Sequence, residues 1–254
     1  MALSLVSVNI EGGLHLEKVR TFISEQQPDV LCVQELLKSD ISLFEELMGG
    51  ECFYAPMMML PAGNRIAPGG EAVEIGVGII TRLPRPREIL HYYHRAPEEM
   101  PLFINGTPEE KHRTQHCVLA VTEVMYEGAT YRIGTTHFTW TPRGDADDYQ
   151  RTDIRALLSL LKKESPLIVC GDFNAPRGGE IFSLLAGAYT DNIPSHYKTS
   201  LDISIHRAGE EDGENLSTLM VDGLFTSPGY EAKGVALMFG VSDHAAIVAT
   251  IEKV

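Results

Sequence analysis

No apolar run in this chain approaches the roughly 18 residues that a membrane-crossing helix requires. Membrane insertion is therefore not expected. The opening MALSLVSVNIEGG carries no basic leader and no small-residue cleavage site, so no secretory signal is expected. The four cysteines, Cys32, Cys52, Cys117 and Cys170, match no zinc-binding spacing. Cys32 and Cys170 lie inside apolar runs, where reduced buried thiols are the natural reading. A cytoplasmic location is the expectation, and the glycosylation-type triplets at Asn105 and Asn215 then count as chance matches.

Positive charge is also scarce. Acids outnumber bases 35 to 21, for a net charge of −14. Duplex-binding proteins draw affinity from Lys and Arg that neutralise phosphates. Extended nonspecific binding to a DNA groove is thus disfavoured, whereas a small or end-type substrate is not. Internal repeats, low-complexity tracts and long linkers are lacking too. With 254 residues, the chain is expected to form one domain, 1–254, around one core.

Periodicity organises what is present. Leu3 to Asn9 alternates as a strand, and Leu16, Val19, Phe22 and Ile23 recur at helical spacing until Pro28. Asp29 to Glu35 is an apolar run ending in a carboxylate, and Phe44, Leu47 and Met48 predict a helix before Gly49. Strands are predicted near 51–58, 74–82 and 86–93, with a Pro/Gly-rich loop over 61–70 and an irregular stretch over 94–116. Val118 to Val124 and Tyr131 to His137 read as a strand pair. A helix through Ile154, Leu157, Leu158 and Leu161 leads to a buried strand from Leu167 to Gly171. A helix near 179–187, an acidic loop over 207–217 and two last strands near 219–225 and 245–251 complete the chain. Sheets packed face to face with helices outside, an α+β sandwich, fit this order better than a doubly wound parallel sheet.

Apolar strands repeatedly end in groups suited to metal or phosphate chemistry: Asn9, Glu35, His137, Asp172 with Asn174, Asp222, and Asp243 with His244. Any one of these alone reads as a solvated strand end or a satisfied histidine. Six such ends in one chain are poorly explained that way, because a buried carboxylate or imidazole is costly unless paired or coordinated. Mg²⁺ takes hard oxygen ligands and often only one or two protein carboxylates, which Glu35 and Asp243 can supply. Attack on phosphorus needs a base to orient water and donors for the phosphoryl oxygens, roles open to Asp172, Asn174, His137 and His244.

The ordered set VNIEGG, VQE, THF, GDFN and VSDH resembles the endonuclease/exonuclease/phosphatase superfamily, the DNase I-like fold, from about Ser4 to Ile251. The resemblance implies a four-layer α/β/β/α sandwich and dependence on Mg²⁺ or Mn²⁺. It implies Glu35 as the principal metal carboxylate with Asn9 and Asp243 nearby, and Asp172 as the group that orients or deprotonates water. Asn174 would hold a phosphate oxygen. His244, oriented by Asp222, and His137 would contact the phosphate from two sides, with Glu74 as the partner of His137. Val221-Asp222-Gly223 keeps the acid of the family's Ile-Asp-Tyr pattern and loses its aromatic neighbour. His137 speaks against a Tyr-type apurinic endonuclease, since the resemblance to that branch implies a different residue here.

At the rim, Trp140 is a candidate to stack on a flat leaving group, the alternative being a core-filling role. Arg143, Arg177 and Lys198 are candidate phosphate anchors, each with a solvated-surface alternative. The leading expectation is a phosphodiesterase acting on nucleic-acid ends or a nucleotide-like adduct, as in the tyrosyl-DNA phosphodiesterase and exonuclease branches. The alternatives are an enzyme of small or lipid phosphates, such as an inositol phosphate or sphingomyelin, and a catalytically silent relative that binds RNA or protein.

Overall fold

The computed structural model describes residues 2–67, 70–95 and 99–254. Pro68 and Gly69, in the expected 61–70 loop, and Ala96, Pro97 and Glu98, in the expected irregular stretch, lie outside the described residues. The chain opens with strand β1 (Ala2–Asn9), helix α1 (Leu16–Gln26), β2 (Val30–Leu37), α2 (Ile41–Met48), β3 (Glu51–Leu60), β4 (Val73–Thr81) and β5 (Arg87–His94). It continues with α3 (Pro108–Arg113), β6 (Cys117–Tyr126), β7 (Ala129–His137), α4 (Asp148–Glu164), β8 (Ile168–Asp172) and α5 (Glu180–Ala188). Strand β9 (Thr190–Asp191), α6 (Gly209–Leu216), β10 (Asp222–Thr226), β11 (Tyr230–Met238) and β12 (Ala246–Lys253) finish it.

Two six-stranded sheets result, ordered β11-β12-β1-β2-β4-β3 and β5-β6-β7-β8-β10-β9. Each is mixed. The first contains the parallel pair β1–β2 and the second the parallel pair β7–β8, with antiparallel neighbours elsewhere.

Alternation along the strands sorts side chains into layers. In β1, Leu3 and Leu5 enter the core between the sheets, while Val6 and Val8 pack outward with Val19 and Ile23 of α1. In β8, Ile168 and Cys170 face inward and Val169 faces outward, toward the cluster that holds Ile154 and Leu157 of α4 and Phe182 of α5. The outcome is an α+β sandwich of four layers, α/β/β/α. All four cysteines are free.

Three elements depart from the pattern expected of the sequence. The acidic 207–217 segment forms the short helix α6, kinked at Asp212 and anchored by buried Leu216 packed with Leu201 and Val221. Gly209 and Gly213 are weak helix formers and hid it. Within 94–116, α3 forms behind a capping box in which Thr107 and Glu110 bond each other's backbone N–H. Strand β11 was not expected. A pairing irregularity between Lys233 and Ala236, with Gly234 at φ 59°, breaks its alternation.

Gly171 of β8 has φ 147°, and a Cβ there would lie 2.0 Å from the carbonyl oxygen of Thr136 on β7. Gly171→Ala is expected to cost about 3 kcal/mol through strain and forced separation of the parallel pair. Urea unfolding measures this, and a loss below about 0.5 kcal/mol, the range of neutral surface changes, would contradict the close approach.

Candidate functional site

Topology brings the polar strand ends together. The parallel pairs β1–β2 and β7–β8 run their carboxyl ends to one rim, and the antiparallel strands β10 and β12 begin there. Registers align Asn9 with Gln34, His137 with Asp172, and Asp222 with Asp172. By parity, Asn9 shares the inward face with Leu3 and Leu5, and Asp172 shares it with Ile168 and Cys170. Both therefore point across the gap between the sheets.

Glu35 has the wrong parity for this gap, since Leu31 and Val33 pack on the outer cluster. A bulge between Val33 and Leu36 corrects it, with Glu35 at φ 55°. Strand β2 thus continues to Leu37 and does not end at the carboxylate.

Asn9, only 1% exposed, donates its amide nitrogen to Glu35 Oε1 at 3.2 Å and to Asp172 Oδ2 at 3.1 Å. Its Oδ1 accepts the backbone N–H of Glu11 at 3.1 Å. A backbone N–H only donates, so this contact fixes which end of the amide faces the carboxylates. Asn9 was expected beside a metal as a ligand. Here its nitrogen faces both carboxylates and its oxygen faces the Glu11 N–H.

Asp172 also accepts the N–H of Asn174 at 2.8 Å, and its Oδ2 lies 3.5 Å from His137 Nε2 and 3.9 Å from His244 Nε2. His137 Nε2 is 3.9 Å from Glu35 as well. His244 Nδ1 pairs with Asp222 at 2.8 Å. Burial opposes the imidazolium of His244, but the Asp222 and Asp172 carboxylates outweigh it and raise the group well above its ordinary range. Ser200, which the sequence did not single out, sets this pair side by side. Its hydroxyl accepts the N–H groups of Val221 and Asp222, and its carbonyl accepts that of Ala245.

Glu11 is the other residue that sequence reasoning passed over, although it stands two positions after Asn9. It is buried, pairs with Arg65, and lies 2.9 Å from His15. Potential ligand atoms of Glu11, His15 and Asp243 fall within 4.8 Å of one another. Burial, reinforced by the Glu11 and Glu35 carboxylates against the pull of His244, pushes Asp243 up to about 7. Crowded carboxylate oxygens of this kind fit a hard divalent cation, which would offset their mutual repulsion.

Other expected residues sit elsewhere. Glu74 lies one step past the Leu37–Ile75 register pair and ion-pairs with Lys38 at 3.1 Å. Among the described residues no hydrogen bond or ion pair joins it to His137. Arg177 binds Asp191 at 2.8 Å and the carbonyls of Ile193, Pro194 and Tyr197. These contacts tie its guanidinium to the 191–197 loop. Lys198 donates to the carbonyl of Ser195. Arg143 is exposed, in a turn whose Gly144 abuts the carbonyl of Asn174. Trp140 is 40% exposed, with Lys111 Nζ 3.8 Å from its ring centroid. Asn174, at φ 48°, commits an amide proton to the carbonyl of Phe138 at 2.9 Å.

Residues 6–244 match the model of the Endonuclease/Exonuclease/phosphatase family. No curated protein matches the chain. Among solved structures, the chain is similar to an endonuclease/exonuclease/phosphatase from Beutenbergia cavernae DSM 12333, at 15% identity and TM-score 0.74, covering 99% of this chain and 72% of that one. It is similar to D. rerio TDP2 complexed with single-strand DNA product, at 16% identity and TM-score 0.67 over 99% of both chains. A mannosyl-6-phosphatase from Bacteroides thetaiotaomicron VPI-5482 aligns at 12% identity and TM-score 0.67, over 98% of this chain and 99% of that one.

The raised Asp243 carboxyl makes a stability prediction for the chain in chelator. Between its ordinary value of 3.8 and about 7 the folded state holds a proton that the unfolded state has released. Stability contributed by the protonated group is full below the ordinary value and is lost as pH rises through about 7. Asp243→Asn removes this loss. The variant should match wild type near pH 4 and exceed it near pH 8 by on the order of 3 kcal/mol in urea unfolding. A variant less stable than wild type near pH 8 in chelator would contradict the crowding.

Proposed function

Because the chain belongs to the Endonuclease/Exonuclease/phosphatase family, we propose that it is a divalent-metal-dependent phosphoesterase that hydrolyses its substrate by in-line attack of an activated water. The observation that carries this reading is Asp172, which meets Asn9 and Asn174 as hydrogen-bond donors and faces His137 and His244 across 3.5 and 3.9 Å. A Mg²⁺ or Mn²⁺ held by Glu35 and Asp243, with Glu11 beside them, supplies charge neutralisation at the phosphoryl oxygens when bound.

The remaining chemistry belongs to side chains of this chain. Asp172, locked by donors on both oxygens, orients the water and takes its proton. His244, kept cationic by Asp222, presents Nε2 to a phosphoryl oxygen and stabilises the charge that develops there. His137 does the same from the β7 side. Asn174 offers its second amide proton. Burial of Asp172, Asp222 and His244 strengthens each of these interactions relative to water.

The substrate we favour is a nucleic-acid end or a nucleotide-like adduct. Exposed Trp140 offers a flat surface three residues beyond His137, and Lys111 adds a cation at that ring. The net charge of −14 speaks for an end rather than a groove. The same charge favours a second reading, a small phosphate such as an inositol or sugar phosphate, and likeness in fold to a mannosyl-6-phosphatase supports it.

Hydrolysis of bis(p-nitrophenyl) phosphate tests the reaction. Turnover should require Mg²⁺ or Mn²⁺, and Glu35→Ala and His244→Ala should each lower kcat by about 10²- to 10⁴-fold. Turnover that survives exhaustive chelation would falsify the metal dependence. For the substrate, a panel of labelled single strands, duplexes, 5′-adducts, inositol phosphates and sugar phosphates is decisive. Turnover confined to the small phosphates would replace the nucleic-acid reading with the second one.

A further inference from the structure

A second concentration of ligand-type side chains lies beside the loop that follows His137. His94 closes β5, His112 sits in α3, and Asp153 lies in α4, 1% exposed. Their potential ligand atoms fall within 4.8 Å of one another.

Hydrogen bonds determine which atoms face inward. His94 Nε2 contacts the backbone carbonyl of His112 at 2.8 Å. A carbonyl only accepts, so the proton of a neutral His94 sits on Nε2 and Nδ1 carries a lone pair. That lone pair faces Asp153 Oδ1 at 3.6 Å, acceptor against acceptor and beyond hydrogen-bond range. His112 Nε2 faces the other oxygen, Oδ2, at 3.0 Å. The two imidazole rings lie with centroids 3.6 Å apart, tilted by 33°, so placing a proton on both to relieve the confrontation sets like charges side by side. One cation between the nitrogens and the carboxylate relieves it directly.

We propose that His94, His112 and Asp153 form a site for a single borderline transition-metal ion of the Zn²⁺ class, separate from the hard-cation site of the catalytic rim. Two imidazoles and one carboxylate are the donor mixture that such ions take, whereas Mg²⁺ prefers oxygen throughout. Metal–ligand bonds of about 2.0–2.1 Å imply ligand separations of about 3.3 Å. The two imidazole nitrogens lie 3.0 and 3.6 Å from the two oxygens of Asp153, and the three ligand atoms fall within 4.8 Å of one another. The carboxylate is also supported from outside, since Thr139 Oγ1 donates to Asp153 Oδ2 at 2.5 Å, as ligating carboxylates commonly require. Tyr149 stacks on His112 at 4.2 Å and walls the ring in.

The three ligands come from three elements, so the ion staples α3 and the end of β5 to α4. Lys111, next to His112, is thereby held over Trp140 at the rim. The ion orders that rim and takes no part in the phosphoester step.

The full-length chain, stripped with chelator and dialysed, tests this by Zn²⁺ competition against a chromophoric chelator and by the visible spectrum of a Co²⁺-substituted sample. One tight ion per chain should bind with Co²⁺ bands of a low-coordinate nitrogen/oxygen site. His94→Gln and His112→Gln should each weaken Zn²⁺ by about 100-fold, the upper end of what losing even an outer partner costs a metal site. Glu35→Gln should leave that ion in place. Zn²⁺ should raise Tm in wild type and in Glu35→Gln and not in the histidine variants. Unchanged Zn²⁺ affinity in both histidine variants overturns the proposal, as does loss of the tight ion in Glu35→Gln. Binding and Tm are read without turnover, so a failed phosphoesterase assay leaves this result standing. His94→Gln and His112→Gln both alter half-buried groups, and matching circular dichroism with wild type in chelator establishes that they fold.

Discussion

The carboxamide of Asn9 has two protons and commits both to carboxylates from opposite sheets, Glu35 on one side and Asp172 on the other. Its oxygen is fixed by the N–H of Glu11. Nothing about this arrangement is local, because Asp172 lies 163 residues away in sequence and arrives only if the two sheets pack in register. Hydrogen bonds to charged acceptors contribute about 1.5–3 kcal/mol each, and leaving a buried carboxylate without its donor costs more. The apolar core between the sheets sets the spacing. Gln34, fully buried and bonded to Thr135 across the gap, repeats the same clasp one layer deeper. The geometry of the candidate site is therefore a consequence of sheet-on-sheet packing, and a disturbance of that packing reaches the site through Asn9.

Charge works against the fold at the same place. Buried Glu11, Asp172, Asp222 and Asp243 gather with half-buried Glu35, where burial makes an anion expensive. His244 between Asp222 and Asp172 answers part of that, and Arg65 with His15 answers Glu11. Asp243 is left facing two further carboxylates and is pushed up to about 7. A chain selected for stability alone would replace such a group with a neutral one. Conflict between local electrostatics and folding, retained in an otherwise well-packed sandwich, marks a functional surface.

Much of this was legible in the sequence because strands keep parity. Asn9, His137 and Asp172 follow from alternation with their apolar neighbours, and Asp222 and His244 follow from where the next strands begin. Glu35 was legible as an acid after an apolar run, but the bulge that re-aims it was not, since a single extra residue leaves composition unchanged. Glu74 and Arg177 meet partners to which the sequence did not point. Position near a motif says nothing about which competing partner is closer, and Lys38 and Asp191 were. Ser200 and Glu11 carry no motif of their own. The cluster of His94, His112 and Asp153 was invisible, because three residues from three elements meet at no fixed spacing.

Helix α4 ties these separate parts into one mechanical unit. Gln150, buried on its inner face, donates to the carbonyls of Thr139 and Asn174, and so grips the loop after His137 and the loop after Asp172 at once. One turn later Asp153 holds the Thr139 hydroxyl and faces both His94 and His112. Loops ordinarily vary and move independently of the elements they join. These two are bound to the same turn of the same helix, and that helix packs its Ile154, Leu157 and Leu161 into the outer core of the second sheet. Any group that fixes α3 against Asp153 fixes Lys111 and Trp140 relative to His137 as well. The loop after His137 and the loop after Asp172 therefore share one support, the turn of α4 that carries Gln150 and Asp153.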